Sequence, residues 1–573
     1  MLWFLILGSA LASVEDLKVG EAALVIGDLE EAEEAFDRAT RRRRHREAAK
    51  AGLLHIATTR GDDKAIRSLL SGHNPAKSSD DLVVFAAMAE LALSSRTEDA
   101  LSWAQAACKV EHPMARPSCA MAPLLKVAPH HSQCVSSCDG DLVLPISYAG
   151  SQPVVMASIN SGPPMAFLVD TGASRSLLTH KTALKLGLEK RNDTAVQVSA
   201  IGDSYSSWME LVTIDVGESQ IRDVAVLVAE LPFAGIDGIL SPQTLWPEHI
   251  VEMDFIRHEL RVSPTSDQPL EGVLFPYHQY GERPHITLAS EDFPPRPVMI
   301  DTGAANTTLD RSWAGMTLKQ SGTKYQLGAG GVQSEVTATD GVLKAMAGSL
   351  NLHFSSPRLT DTRAGEVTHG RLGADFWMGR VLTFDRSGRR LSISDPSALT
   401  SWAPGDEASF LVSVNGESHG RFTERVLSHD DGTITLETVL EVDESHRMIT
   451  TMDDSWHNRG TWMLTRPVSE AWLVNEVGER IPVADKGMSL WLPMFPSSFS
   501  SDSGKTPTMT FGNYQLGSEE VPCTQIDLPV QASGVPATLS ILECPASPWR
   551  VAELQLVRSD DEKVLWEVRR DFM

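Results

Sequence analysis

Asp170 and Asp301 are the residues in this chain whose surroundings repeat. Phe167-Leu168-Val169-Asp170-Thr171-Gly172-Ala173 is matched by Val298-Met299-Ile300-Asp301-Thr302-Gly303-Ala304. In each copy a short apolar run, read as a strand, delivers an acid into a tight turn. Gly172 and Gly303 admit a close backbone approach that a Cβ would block. Thr171 and Thr302 can place hydroxyls beneath the turns and cross-bond the two copies. If the turns meet at a pseudo-twofold axis, their carboxyl groups come within hydrogen-bond reach. Two like charges so close do not both ionise readily, so the pair shares one proton. The ionised member can then act as a base toward a bound water. The protonated member polarises the carbonyl under attack and later assists the leaving group. The sequence leaves open which aspartate takes which role.

The duplication carries its surroundings with it, at an offset of 301 − 170 = 131 residues. At that offset Leu245-Trp246 aligns with Phe376-Trp377, Met253-Asp254 with Phe384-Asp385, and Leu260-Arg261-Val262 with Leu391-Ser392-Ile393. One tetrapeptide is weak evidence, but a co-linear repeat around two of them is strong.

This repeat resembles the pepsin and retroviral-protease superfamily, and the Ala after each Gly is similar to the retroviral type. The resemblance implies a central all-β bilobal acid-protease fold, with lobe 1 at 140–266 and lobe 2 at 267–396. It implies an aspartic-type endopeptidase acting on a polypeptide substrate, with Asp170 and Asp301 catalytic and no cofactor. Because two units are fused, a monomeric catalytic unit suffices. The active-site turns would be Thr171, Gly172, Ala173, Thr302, Gly303 and Ala304. A supporting strand in the family ends in two apolar residues and Gly. His369-Gly370-Arg371-Leu372-Gly373 resembles it, with Arg371 in an apolar place. Asp237-Gly238-Ile239-Leu240-Ser241-Pro242 resembles it in the first unit, with Ser241 or Pro242 replacing the Gly. Family flaps would fall at Ala200–Tyr205 and Leu327–Val332, making Gly202, Tyr205, Gly330 and Gly331 candidates. Tyr205 reads equally as a turn residue with a half-exposed ring. The alanines remove a hydroxyl that could bond an ionised carboxylate, so the expected pH optimum is less acidic than pepsin's. The alternative reading is an inactive scaffold that binds through its flanking regions.

A chain of 573 residues exceeds one compact core, so these units need neighbours. Residues 15–125 carry apolar residues at helical spacing, as in Leu82–Leu91. Gly27-Asp28 recurs as Gly61-Asp62, a period of 61 − 27 = 34, with a degenerate third copy near Thr97–Ala100. That period resembles the tetratricopeptide repeat and predicts an all-α helical repeat offering a face to a protein partner. The exposed-type run Arg41–Arg46 reads as a solvated helix face, a processing site or a clamp for an acidic partner. Residues 126–139 read as a linker. Residues 400–573 alternate in the manner of an all-β sandwich or barrel.

The formal net charge of −25 argues against nucleic acid or an anionic membrane as a main partner. No later run reaches the apolar length of a membrane span. Residues 1–12 end in Ala10-Leu11-Ala12 and read as a signal peptide or, alternatively, a buried helix. Six cysteines fit a secreted or periplasmic, cell-envelope setting. Cys523 and Cys544 pair most simply with each other. Cys108, Cys119, Cys134 and Cys138 allow three pairings. His130-His131 beside Cys134 and Cys138 also resembles a zinc cluster, which an oxidising setting disfavours.

Overall fold

The computed structural model describes residues 15–570 apart from 94–98, 113–114, 128–132, 137–140, 150, 191–193, 201–202, 231–234, 267, 281, 292, 314–317, 328–332, 341, 356, 362–367, 395–403, 415–416, 431–432, 442–444, 454–469, 475–477, 483–498, 502–507, 517–518, 533–534, 545–550 and 559–563. N-terminal helices precede a mostly β region of several sheets. The residues read as a signal peptide lie outside the described part.

The helices are α1 (15–26), α2 (Leu29–Thr40), α3 (Arg46–Thr59), α4 (Asp63–Leu70), α5 (Asp80–Ala92), α6 (Asp99–Ala107) and α7 (Ala115–Leu125). The Gly-Asp recurrence is one corner used twice. Gly27 and Gly61 take φ of +79° and +64°, a left-handed conformation that ends a helix cheaply only at glycine. Asp28 and Asp62 then cap the next helix, each carboxylate accepting a backbone N–H at 3.0 Å, from Glu31 and Ala65. The degenerate third copy falls largely on residues outside the description, and α6 begins at Asp99. A disulfide between Cys108 and Cys119 ties the end of α6 to α7.

Two large sheets follow. In the first, the strand Met165–Val169 lies between Gln152–Ile159, antiparallel, and Gly238–Leu240, parallel. In the second, Arg296–Ile300 lies between Arg283–Leu288, antiparallel, and Gly370–Leu372, parallel. A third, six-stranded sheet is shared. Its central pair joins His249–Asp254 to Val381–Asp385, from Ile250↔Asp385 to Asp254↔Val381. Glu259–Pro264 and Leu142–Pro145 extend it on one side, Arg390–Ile393 and Val273–Pro276 on the other. The recurring Asp254 and Asp385 are buried turn-closers. Asp254 Oδ1 accepts the N–H groups of Ile256 and Arg257, and Asp385 Oδ1 that of Gly388.

Two sequence expectations need adjustment. Part of the supposed linker, Gln133–Ser136, is an edge strand of the first sheet, paired with Ser219–Ala229. The supporting elements also do not keep the offset of 131. Ile239 pairs with Leu168 as Arg371 pairs with Met299, so the offset is 371 − 239 = 132. The short helices Pro242–Leu245 and Ala374–Trp377 keep that register, which sets Trp377 against Leu245 and not against Trp246.

One apolar core runs through both units, including Phe167, Val169, Met253, Val298, Ile300, Leu382 and Phe384. A second core covers the outer face of the first sheet. There Met121, Leu124 and Leu125 of α7 and Leu91 of α5 pack on Leu168, Met209, Leu227 and Ile239. The strand Met165–Val169 is therefore buried on both faces, which explains its unbroken apolar run. The α1–α2 corner reaches the second unit, where Gly27 abuts Pro297.

The described strands beyond Glu407 form one antiparallel twelve-stranded sheet in which the first strand, Glu407–Val414, pairs with the last, Val564–Arg570. Cys523 and Cys544 form a disulfide within it. Met509 and Phe511 of this sheet pack against the second core, Met509 beside Gly235 of the first unit. Cys134 is also disulfide-bonded, which removes it from a metal-ligand set, and His130 and His131 lie outside the described residues. Among the described residues no helix is long and apolar enough to cross a membrane.

Candidate active site

Two strands of the same kind end at the two aspartates, and their neighbours hold both turns in the same way. The Asp170 N–H donates to the Leu240 carbonyl at 2.9 Å, and the Asp301 N–H to the Leu372 carbonyl at 3.1 Å. Below the turns the threonines cross-bond. The Thr171 N–H donates to Thr302 Oγ1 at 3.0 Å, and the Thr302 N–H to Thr171 Oγ1 at 3.1 Å. Each hydroxyl then donates across the axis at 2.7 Å, Thr171 to the Ile300 carbonyl and Thr302 to the Val169 carbonyl. All four bonds are buried, where losing a partner is most costly.

The glycines face the opposing acids. A Cβ on Gly172 would lie 2.5 Å from the Asp301 carboxyl carbon, and one on Gly303 equally close to that of Asp170. The two carboxyl groups face each other across the axis, each lying against the opposite turn. Asp170 Oδ1 also accepts the Gly172 N–H at 2.7 Å. Burial, then the adjacent Asp301 charge, pushes the Asp170 carboxyl up to about 8, while the turn N–H groups pull against that rise. Asp301 is 6% exposed. Ala173 and Ala304 close the turns, their N–H groups donating to the Asp170 and Asp301 carbonyls.

The supporting strands differ. Gly373 donates its N–H to Thr307 Oγ1 at 3.1 Å, and a Cβ there would fall on the Asn306 backbone. Ser241 occupies the equivalent place in the first unit, with Pro242 opposite Ala374. Ala374 donates its N–H to the Ala304 carbonyl at 3.0 Å. Proline has no N–H, and the Ser241 hydroxyl makes the corresponding bond to the Ala173 carbonyl at 2.8 Å. The change from Gly therefore preserves the hold on the first turn.

Sequence reasoning missed three buttresses. Gln243 Nε2 donates to the Thr171 carbonyl at 2.9 Å, Trp377 Nε1 to the Asp301 carbonyl at 3.2 Å, and Gln152 Nε2 to the Gly303 carbonyl. None had a local signal, because each contact is made by the fold. Arg371 was visible only as a departure from an apolar pattern. Its Nη1 lies 3.8 Å from Asp301 Oδ2.

Hairpins occur where flaps were expected. Ala195–Ala200 pairs with Asp203–Val216, setting Tyr205 opposite Val198, and Lys319–Leu327 pairs with Gln333–Asp340. Gly202, Gly330 and Gly331 lie outside the described residues. Among the described residues no cluster of His, Cys, Asp and Glu could hold a metal.

Residues 155–242, from within the strand Gln152–Ile159 through the supporting element of the first unit, match a family model described as aspartyl protease. Over these residues the chain is aspartic-protease-like. Similar solved structures include an aspartic proteinase from Irpex lacteus, 15% identical, with a TM-score of 0.31, covering 46% of this chain and 100% of that one. Conglutin gamma, a basic 7S globulin from lupine seeds, is 10% identical at a TM-score of 0.31, covering 45% and 96%. Basic 7S globulin from soybean is 11% identical at 0.27, also covering 45% and 96%. No curated protein matches the chain in sequence.

Proposed function

We propose that the chain is an aspartic endopeptidase that hydrolyses polypeptides by a water activated between Asp170 and Asp301. The observation that carries this reading is reciprocal: each carboxyl group sits against the glycine of the opposite turn, over one buried threonine lattice. In the reaction one carboxylate takes a proton from water as its oxygen bonds the scissile carbonyl carbon. The other carboxyl gives its proton to the carbonyl oxygen, and the diol collapses with proton transfer to the departing amine. The hairpins Ala195–Val216 and Lys319–Asp340 would close over the substrate. The disulfides favour work in a secreted or cell-envelope setting. The helical layer and the C-terminal sheet would recruit partners or regulate.

Activity needs one proton on the pair. Asp170 gives its proton up as pH rises through about 8, so activity falls there, consistent with an optimum less acidic than pepsin's. A profile peaking below about pH 3 would contradict this. The direct test is cleavage of an unstructured protein, with and without a statine-type inhibitor. Asp170→Asn and Asp301→Asn are each expected to lower the rate about a thousandfold or more. Equal rates for wild type and Asp170→Asn would sink the dyad reading and favour an inactive scaffold.

A further inference from the structure

The two turns are near-copies, but the residues beside them are not. Ile239 and Arg371 hold the same position in their units. Each sits on the supporting strand, paired in parallel with the second-last residue before the aspartate, Leu168 and Met299. In the first unit this place is a buried isoleucine, 6% exposed and packed under the helical layer. In the second it is an arginine whose side chain is 24% exposed and whose guanidinium reaches Asp301. Asp301 therefore has a cation within ion-pair reach, while the equivalent position in the first unit is an isoleucine packed into the helical layer.

The other groups bonded at the turns are neutral: the N–H groups of Gly172 and Ala173, and the side chains of Gln152, Gln243 and Trp377. Arg175, two residues past Ala173, makes no ion pair among the described residues. His369, just before the strand that carries Arg371, bonds the Val25 carbonyl of α1 at 2.9 Å. Among the described residues, the cation paired with either acid is Arg371.

We infer that Arg371 is a charge-positioning residue that breaks the symmetry of the dyad, holding the negative charge on Asp301 and leaving the shared proton on Asp170. This rests on the endopeptidase reading and deepens it by assigning roles. Asp301 takes the proton from water as the new C–O bond forms, and Asp170 gives its proton to the carbonyl oxygen. The pair carries one negative charge before and after this step. The raised Asp170 carboxyl agrees with that assignment. The guanidinium also makes the singly ionised pair persist to lower pH than two unassisted carboxyls would allow.

The experiment compares pH profiles of kcat/KM for wild type, Arg371→Lys and Arg371→Met. With methionine the acidic limb is expected to move upward by about one pH unit or more, since a cation at this range shifts a carboxylate by about one to three. Lysine is expected to keep the limb close to wild type. Dyad-dependent cleavage with superimposed wild-type and methionine limbs would overturn the proposal while leaving the peptidase reading intact. A second measurement covers variants that fold poorly. Calorimetry of a statine-type inhibitor binding to Asp170→Asn and Asp301→Asn reads proton uptake against pH. Uptake is expected to persist to higher pH in Asp301→Asn, where the remaining acid belongs to the unit that has Ile239 in the place of Arg371. Equal profiles would overturn the asymmetry. Neither cleavage nor inhibitor binding by wild type would remove the dyad reading and this proposal together.

Discussion

At the scale of residues, Thr302 holds more than its own turn. Its hydroxyl donates to Val169 at 2.7 Å and accepts from the Thr171 N–H at 3.0 Å. Thr302→Val keeps the shape but leaves a buried carbonyl and a buried N–H without partners. That is expected to cost about 2–3 kcal/mol of stability and at least about tenfold in kcat. Thr302→Ser keeps the hydroxyl and is expected to lie near wild type in denaturant unfolding and in rate. A valine variant as stable as wild type would show that the lattice is not a strut. This lattice was legible in the sequence because Asp-Thr-Gly-Ala is local and occurs twice. Arg371 and Ser241 were legible only as exceptions. What they do depends on strand pairing, which put the supporting elements one residue away from the offset read along the chain. Gln152, Gln243 and Trp377 could not be anticipated, since each reaches its carbonyl from a different element.

At the scale of elements, the contact of α3 with the second unit is built from ionisable rings. His55 of α3 stacks on Phe85 of α5 at 5.3 Å and meets Tyr280 edge-on at 6.1 Å. Tyr280 meets His285 at 4.8 Å. Burial lowers the His55 imidazole to about 4. Burial and the Arg283 charge lower His285 to about 3, and His278 is lowered by burial and Arg60. These histidines are neutral when docked, whereas a released imidazole protonates near 6.5. Their contribution is therefore present in full above about pH 6.5 and is lost as pH falls from there through 4 toward 3. Hydrogen exchange in α3 and in His278–Leu288 is expected to quicken over that interval, and His55→Phe is expected to blunt the change. Exchange that is flat from pH 7 to about 4 in wild type would refute the device. Nothing in the sequence marked these histidines, because they lie far apart along the chain. The Gly-Asp corners beside them were readable, since a left-handed glycine followed by a capping Asp is a signal complete within a few residues.

At the scale of the molecule, the helical layer and the strands that carry the aspartates depend on each other. The alternate faces of Met165–Val169 look two ways: Phe167 and Val169 into the core common to both units, Ala166 and Leu168 into the helices. Removing the layer would uncover Leu168, Met209, Leu227 and Ile239 together, a contiguous apolar surface of the kind that drives aggregation. It would also release Pro297, on the strand that leads to Asp301, from the α1–α2 corner. A removable propeptide would leave a soluble and more active remainder; a structural layer would not. Among the described residues the layer packs on the outer sheet faces and forms no hydrogen bond or ion pair with Asp170 or Asp301. A chain beginning after α7 is accordingly expected to be largely insoluble or to melt well below the full chain, and to lose inhibitor binding. Supplying residues 15–127 in trans during expression is expected to recover part of the soluble protein. A truncated chain that is soluble, binds a statine-type inhibitor and cleaves faster than the full chain would make the helices a propeptide after all.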